Sequence, residues 1–396
     1  MEYRSILNNK ATQTYIIRTT GSIIPFMILG TLASKDSLYV AVYALFVQTS
    51  ILLGNLLTFG KDTSIIKLTK QTNLVERECV VLKRQFKKQA VIGLCIIMLV
   101  ALLINDDITS IVLLSIPTAY FIRLNRISLA CHRALNRPRT ASALENVLRN
   151  IIIAISVLSS LFIFDNIFII ILAFCIAYLL IAYVTMMCLP NLEKTKHSKA
   201  DIKTYEESKI YFWANSNLTQ AISTQDLYIG AHFLSLDQFA LYTIANKALQ
   251  TISSFSISFN FANLDLISNA ITNHRPEALK NAINKSSILL GAVCFISASL
   301  YTIILYTNQN THLSTHVSGF VLACLGIILS FLIGPQLLIK TFKNQEKEAF
   351  HMIFLSFLSG LFLSLIILST ETIISIYFLF AFNQVAWKIA LKKILR

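Results

Sequence analysis

Apolar runs of about 20 residues recur from one end of this sequence to the other, and no alternative to a membrane accommodates so many of them. As helix, at about 1.5 Å per residue, each run is long enough to cross roughly 30 Å of hydrocarbon. The windows centre on residues 12–34, 37–60, 87–105, 108–130, 146–164 and 166–188 in the first half. In the second half they centre on 210–233, 238–262, 285–306, 315–339, 349–369 and 372–390. With 55% hydrophobic and 14% charged residues in 396, the chain lacks the polar surface that a soluble domain of this size needs, and no stretch is left over for one. The expected fold is an all-α integral membrane protein with about twelve spans.

Charge in the intervening loops alternates. Lys61, Lys67, Lys70, Arg77, Lys83 and Arg84 follow the second window, Arg133, Arg137 and Arg139 the fourth, and Lys194, Lys196, Lys199 and Lys203 the sixth. Arg275 and Lys280 follow the eighth, Lys340, Lys343 and Lys347 the tenth, and Lys392, Lys393 and Arg396 the twelfth. The odd loops carry Asp36, Asp106, Asp107, Asp165, Asp237 and Glu371, with Lys35 as their only cation. The positive-inside rule then puts the even loops and both termini in the cytoplasm. The formal charge of +14 is thereby explained as a topology signal and not as a nucleic-acid face, since the cations do not gather on one aromatic-studded surface. The N-terminus has no short apolar core followed by a small-residue cleavage site, so the first span is expected to be retained.

The midpoint of the chain falls in the basic linker 190–209, with six windows on each side, so two six-helix bundles are expected, at 1–195 and 196–396. Both begin on the same side of the membrane, the arrangement of parallel repeats. Asp36 to Tyr43 and Asp237 to Tyr242 open the second and eighth spans in a faint echo of one another.

Polar side chains at membrane depth must face other helices or water. Spans three, six and eleven are almost wholly apolar and are expected to face lipid, whereas one, two, seven and eight should look inward. Gln48, Asn55 and Asp62 fall seven apart, along one helix face. Span seven carries Asn215, Asn217, Thr219, Gln220, Ser223, Thr224, Gln225 and Asp226; span eight carries Lys247, Gln250, Ser254 and Ser258. For any single Ser or Thr interhelical hydrogen bonding suffices, but the concentration on four helices points to a hydrated cavity. Burying an ion costs about 2.5–3.5 kcal/mol at a helix centre even on the gentler scale, so Asp226 and Lys247 are expected to pair across spans seven and eight, as a clamp or as part of a transport cycle. Arg18, Arg123, Arg126 and Arg149 lie toward the cytoplasmic ends of spans one, four and five. Each alone could snorkel to the interface. Together with Lys247 they would give a cavity a positive potential suited to a phosphate-bearing anion.

Other chemistry is poorly served. Gly54 to Asp62 reads GNLLTFGKD, one residue too long for a P-loop and with Asp where Ser or Thr should hold magnesium. His312 and His316 stand four apart in an external loop without a third ligand, which is weak support for metal. Six of the seven cysteines (Cys95, Cys131, Cys175, Cys188, Cys294 and Cys324) lie in or beside apolar runs with no CxxC pair, which suits small buried side chains and implies neither disulfide nor cofactor. A membrane-embedded polymerase or glycosyltransferase would need acid, base or metal chemistry in a sizeable external loop; the longest here, around Asn308 to Ser314, has no Asp or Glu. A transporter is expected, and no enzyme.

Two stretches carry a family likeness. TTGSIIPFMILGTLASKDSLYVAVYALFVQTSILLGNLLTFGKDTSIIKL, from Thr19 to Leu68, is similar to the first two helices of Wzx-type polysaccharide flippases. STQDLYIGAHFLSLDQFALYTIANKALQ, from Ser223 to Gln250, resembles their seventh and eighth, with Asp226, Tyr228, Gly230 and Tyr242 on the family's pattern. The chain departs from that pattern at the start of span two, where Leu38 and Tyr39 stand without the usual glycine. The resemblance implies the multidrug/oligosaccharidyl-lipid/polysaccharide exporter superfamily, a MATE-like fold in a bacterial inner membrane, and alternating access. It also implies an undecaprenyl-pyrophosphate-linked oligosaccharide as substrate for O antigen or capsule, with membrane lipid around it; with no P-loop, coupling is left to an ion gradient (H+ or Na+), to substrate supply, or to neither. A multidrug or cation-coupled exporter is one rival within the fold and a peptidoglycan-precursor flippase another, though those generally carry two extra helices; a drug exporter should favour acidic and aromatic lining, and the charges expected inside are mainly Arg and Lys.

Overall fold

The computed structural model describes residues 10–67, 72–103, 108–135, 137–190, 199–263, 267, 276–307, 313–343, 345–368 and 372–393. Along them run α1 (Lys10–Ala33), α2 (Ser37–Thr58), α3 (Lys61–Lys67), α4 (Thr72–Leu103), α5 (Ile108–Ala134) and α6 (Pro138–Ser142). A π-helical segment (Ala143–Leu148) leads into α7 (Arg149–Phe164) and α8 (Ile167–Met187). Then come α9 (Lys199–Phe233), α10 (Leu236–Ala262), α11 (Pro276–Thr307), α12 (Leu313–Ile333), α13 (Gln336–Phe342), α14 (Glu346–Leu368) and α15 (Ile373–Lys393). Among the described residues, each of the twelve expected spans falls on one of twelve helices of 16 residues or more, and there is no strand. The chain is an all-α membrane protein.

Short polar residues stop and start these helices where the apolar runs break. Asp36 caps α2, its carboxylate accepting from Leu38 N at 2.8 Å, and Asn166 caps α8, accepting from Phe168 N at 2.8 Å and Ile169 N at 3.3 Å. Ser235 does the same for α10. At the far end of α2, Phe59 turns left-handed and Gly60 follows at φ +71°, so Asp62 opens α3 instead of prolonging α2. The expected alignment of Gln48, Asn55 and Asp62 on a single helix is therefore broken at its last member. The tenth span also ends sooner than 339: Gly334, at φ +91° and followed by Pro335, stops α12 at Ile333, because no other residue takes that conformation so readily and proline supplies no N–H.

The chain divides into two compact units, residues Ile16–Asn217 and Leu218–Arg396 with Met1–Tyr15. In the first, α5 is central and packs against α2, α3, α4 and α8, while α7 lies along α8. In the second, α12 packs along α15 and against α11 and α10, and α14 lies along α15. The pairing of fourth with sixth, third with fourth and fifth with sixth long helix is thus repeated, as two copies of one six-helix pattern require.

Among the described residues, seven helical stretches are by length and composition apolar enough to cross a membrane: Ser37–Thr58, Arg139–Phe164, Ile167–Met187, Glu277–Ile303, Ser314–Ile333, Glu346–Ile367 and Ile373–Lys392. The remaining long helices, α1, α4, α5, α9 and α10, carry much of the polar material discussed below. Phe354, Leu355, Leu358, Phe362, Leu365 and Ile366 leave α14, the eleventh span, with an outward apolar face, as expected. The sixth span keeps Ile176, Leu180, Tyr183 and Met187 outward but buries its other side. Ile170, Ile171, Phe174, Cys175, Ala177, Tyr178, Ile181 and Ala182 of α8 are buried against protein, with Phe174 meeting Tyr43 edge-on at 5.7 Å. Lipid tails and a protein interior are equally apolar, so composition alone could not tell a lipid-facing helix from a central one. Cys95 and Cys188 likewise sit on exposed positions, while the other five cysteines are buried; all seven are unbridged.

Glycine sets the closest approaches. A Cβ on Gly21 of α1 would stand 2.0 Å from the Asn146 carbonyl oxygen in the π-helical segment, and Asn150 Nδ2 donates to Gly21 O at 2.6 Å. Backbone lies against backbone there, so a flexible side chain cannot yield. Gly21→Val is expected to cost about 3 kcal/mol and to lower the yield of monodisperse protein on size-exclusion chromatography. Gly30, with nothing within 4 Å of its would-be Cβ, should accept alanine without loss.

Candidate functional site

The first unit gathers its cations where α3, α5, α7 and the π-helical segment converge. Asp62, at the first turn of α3, meets Arg126 of α5, with Oδ2 3.3 Å from Nε; their side chains are 11% and 35% exposed. One turn earlier on α5, Arg123 lies over the Tyr120 ring, 5.5 Å from its centroid, and its Nε is enclosed without a hydrogen-bond partner. Arg149, at the start of α7, donates from Nε to Asn150 Oδ1 at 3.2 Å. Tyr178 of α8 lies within electrostatic reach of Arg149, Arg126 and Glu145. Glu145, carried by the π-helical segment, is paired with Arg133, and Lys61 with Glu78 at 3.3 Å.

The expected run of bare cations is thus corrected in part. Arg126 faces a carboxylate expected on the polar face of span two, and the two meet after Phe59 and Gly60 turn the chain so that Asp62 opens α3. Arg123 and Arg149, by contrast, are matched by an aromatic face and an amide; among the described residues neither has an ion pair. Such a guanidinium keeps its affinity for an incoming phosphate. Arg18 lies on α1, but its side chain falls outside the described part of the structure. On α2, Asn55 is buried and Gln48 half-buried.

In the second unit the polar residues of α9 and α10 form a separate cluster. Asp226 is fully buried, and its Oδ2 accepts the Tyr242 hydroxyl and the Asn246 amide, the latter at 2.6 Å. Gln250 Nε2 donates onward to Asn246 Oδ1 at 2.8 Å. The expected partner, Lys247, is not what holds this carboxylate. Tyr242, Asn246 and Gln250 are four apart and share one face of α10; Lys247 is one residue on, about 100° around the helix, and half-buried. Next to Asp226, Gln225 Nε2 donates to Ser364 Oγ of α14 at 2.7 Å, and Asn383 Nδ2 of α15 reaches Ile222 O at 3.0 Å and Gln225 Oε1 at 3.4 Å. Asn217 and Gln220 serve α9 itself: Asn217 Nδ2 donates to Trp213 O at 2.7 Å, and Thr224 Oγ1 to Gln220 O at 3.0 Å.

Several polar residues escaped the sequence reading. His316 is a buried residue of α12, with Nδ1 3.4 Å from Tyr301 Oη and 3.5 Å from Tyr377 Oη, and not part of an external loop. His312 lies outside the described residues. Lys388, one turn before the end of α15, donates to Ser330 O at 3.1 Å and lies 5.5 Å from the Trp387 ring centroid. Its position inside the twelfth apolar window was the available signal. Lys340, read as a loop cation, is 1% exposed and bonded to Gln345 Oε1 at 2.9 Å and Glu348 Oε2 at 3.1 Å.

No protein-family model matches the chain, and no curated protein does. Solved structures do. The lipid II flippase MurJ, in an inward closed conformation, superposes with a TM-score of 0.67 at 14% identity, covering 96% of this chain and 87% of that one. An inward-facing multidrug resistance MATE family transporter of the MOP superfamily gives 0.63 at 11% identity, with 96% of each chain covered. A MOP superfamily transporter from Pyrococcus furiosus gives 0.52 at 10%, covering 98% and 96%. These identities speak to architecture alone, and the coverage makes it the architecture of the whole chain: the protein has the fold of the MOP superfamily transporters.

Proposed function

We propose that the protein is a flippase that carries an undecaprenyl-pyrophosphate-linked oligosaccharide across the bacterial inner membrane for O-antigen or capsule assembly. In this reading the two six-helix halves, 1–195 and 196–396, work by alternating access, both termini are cytoplasmic, and H+ or Na+ couples the cycle. The observation that carries it is the pair of arginines, Arg123 and Arg149, held within a membrane unit and matched only by neutral groups. A diphosphate presents the oxygens that guanidinium donors fit, and it supplies the missing charge. MurJ, a lipid II flippase by name, shares the fold and lends the reading support from analogy.

The test is to delete the gene in its native host and to measure surface polymer together with the lipid-linked repeat at the cytoplasmic face. Loss of polymer with build-up of the repeat, restored by the wild type, is the expected result. Arg123→Ala at equal expression should restore less than about a tenth of the polymer, the loss of one charged contact being worth about 1.5–3 kcal/mol. Lys247→Ala and Arg18→Ala belong in the same series. Unchanged polymer and no build-up would move the assignment to the small-molecule exporter; single unpolymerised repeats at the surface would point to a polymerase.

A further inference from the structure

The Gly21 carbonyl of α1 is an orphan within its own helix. Its α-helical donor would be the N–H of residue 25, and residue 25 is proline, which has none. Gly21 is buried, and at membrane depth such an oxygen has to be met by a neighbouring helix. Asn150, the second residue of α7, meets it, with Nδ2 donating to Gly21 O at 2.6 Å. The approach is open because Gly21 has no Cβ to hold the π-helical segment away. The same Nδ2 donates to Asn146 O at 2.8 Å, so both hydrogens of the amide are used. Its other end, Oδ1, accepts from Arg149 Nε at 3.2 Å. Asn150 is buried and Arg149 half-buried.

We propose that Asn150 is the positioning residue for Arg149 in anion recognition, holding the guanidinium by its Nε edge so that the two Nη groups are presented to a phosphate-bearing ligand. The inference rests on the reading of Arg149 as part of an anion site. Two carbonyls claim Nδ2, which leaves the amide one orientation and turns Oδ1 to the arginine. An arginine side chain that samples many rotamers gives up that freedom when it binds, whereas one held beforehand has less to lose. With Nε engaged, the Nη end remains, and its paired N–H groups match two oxygens of one phosphoryl group. The orientation of Arg149 thereby depends on the α1 backbone, four residues before Pro25.

The chemistry of the hold separates two kinds of arginine in this unit. Arg126 and Arg133 are held by the carboxylates of Asp62 and Glu145, which fix their place and cancel their charge. Arg149 is held by an amide, which fixes its place and leaves the charge intact. Arg123 follows Arg149: its Nε is enclosed, and the Tyr120 ring lies beneath its guanidinium. A neutral partner that orients a cation without neutralising it is what an anion site needs from its supporting groups.

Calorimetric titration of the purified full-length protein with inorganic pyrophosphate at low salt, alongside thermal melts, tests this. The wild type should bind, Arg149→Ala should weaken binding about fiftyfold, and Asn150→Ala about tenfold. In the double variant Kd should stay within about twofold of that of Arg149→Ala, because Asn150 acts only through the arginine; independent effects would multiply to about five hundredfold. A merely structural Asn150 would lower the melting midpoint and leave Kd where it is. Asn150→Asp guards against a folding failure of the alanine variant: it keeps an acceptor for Nε but neutralises the guanidinium, and should bind no better than Arg149→Ala. Wild-type affinity in either Asn150 variant, or multiplied losses in the double variant, overturns the proposal while Arg149→Ala still marks an anion site. No binding by the wild type, or undiminished binding by Arg149→Ala, overturns the anion site itself and this inference with it.

Discussion

Gly326→Leu is expected to destabilise the second unit by about 3 kcal/mol or more, seen as a lower melting midpoint of the purified protein and a smaller yield of monodisperse material. A Cβ at this position of α12 would lie 2.7 Å from both Cα and Cβ of Ala381 on α15, and one turn-pair earlier a Cβ on Gly319 would stand 2.2 Å from the Tyr377 ring. Gly319, Ala323 and Gly326 thus form a stripe of small residues, at spacings of four and three, on which α15 rests. Within a bilayer such close backbone approach is a main source of helix association, since lipid offers no hydrophobic drive between helices. Gly291→Ala on α11 provides the control: nothing lies within 4 Å of its would-be Cβ, so relief of glycine's backbone entropy should stabilise by about 0.5–1 kcal/mol.

Arg126→Glu should be nearly as damaging in the first unit. It sets a second carboxylate against Asp62, which now lies 3.3 Å from the guanidinium, and a partly exposed pair broken in this way costs about 2 kcal/mol. The exchange Asp62→Arg with Arg126→Glu restores opposite charges across the α3–α5 contact and should recover most of the lost stability. Measuring polymer export alongside the melt separates two roles. Stability recovered without export would mean that the position of the cation matters to the cargo; both recovered together would make the pair a clamp between α3 and α5.

Much of the architecture was readable from the residues, and the reasons are local. Caps such as Asp36 and Asn166 and breaks such as Gly334–Pro335 act over a few residues, so the helices fall where the apolar runs do, apart from ends such as that of α12. What failed were judgements about faces. Composition points span six at lipid, and Ile176, Leu180, Tyr183 and Met187 do face outward, yet the other side of α8 is packed by α5, α7 and α2. Lys247 was matched to Asp226 on depth alone, whereas helix phase decides which side chain arrives, and it brings Tyr242 and Asn246. Of the candidate site, Asp62, Arg123, Arg126 and Arg149 were identified as residues but not as partners. The Asp62–Arg126 pairing depends on the turn at Phe59 and Gly60, which a seven-residue count passes over. The cluster of Tyr301, His316 and Tyr377 comes from three helices far apart in sequence and had no local signature at all.

The position of α8 also bears on how the protein is made. Its sequence, IFIIILAFCIAYLLIAYVTMM, is apolar on every side, so it enters a bilayer with no help from other helices. α5 is the opposite: with Pro117, Asn125, Arg126 and His132 along its length, it gains much of its stability from the neighbours that satisfy those groups. Since α5 is synthesised first and α8 only some 60 residues later, the first unit is expected to mature backwards along the chain, the late helix forming the fixed wall against which the earlier one settles.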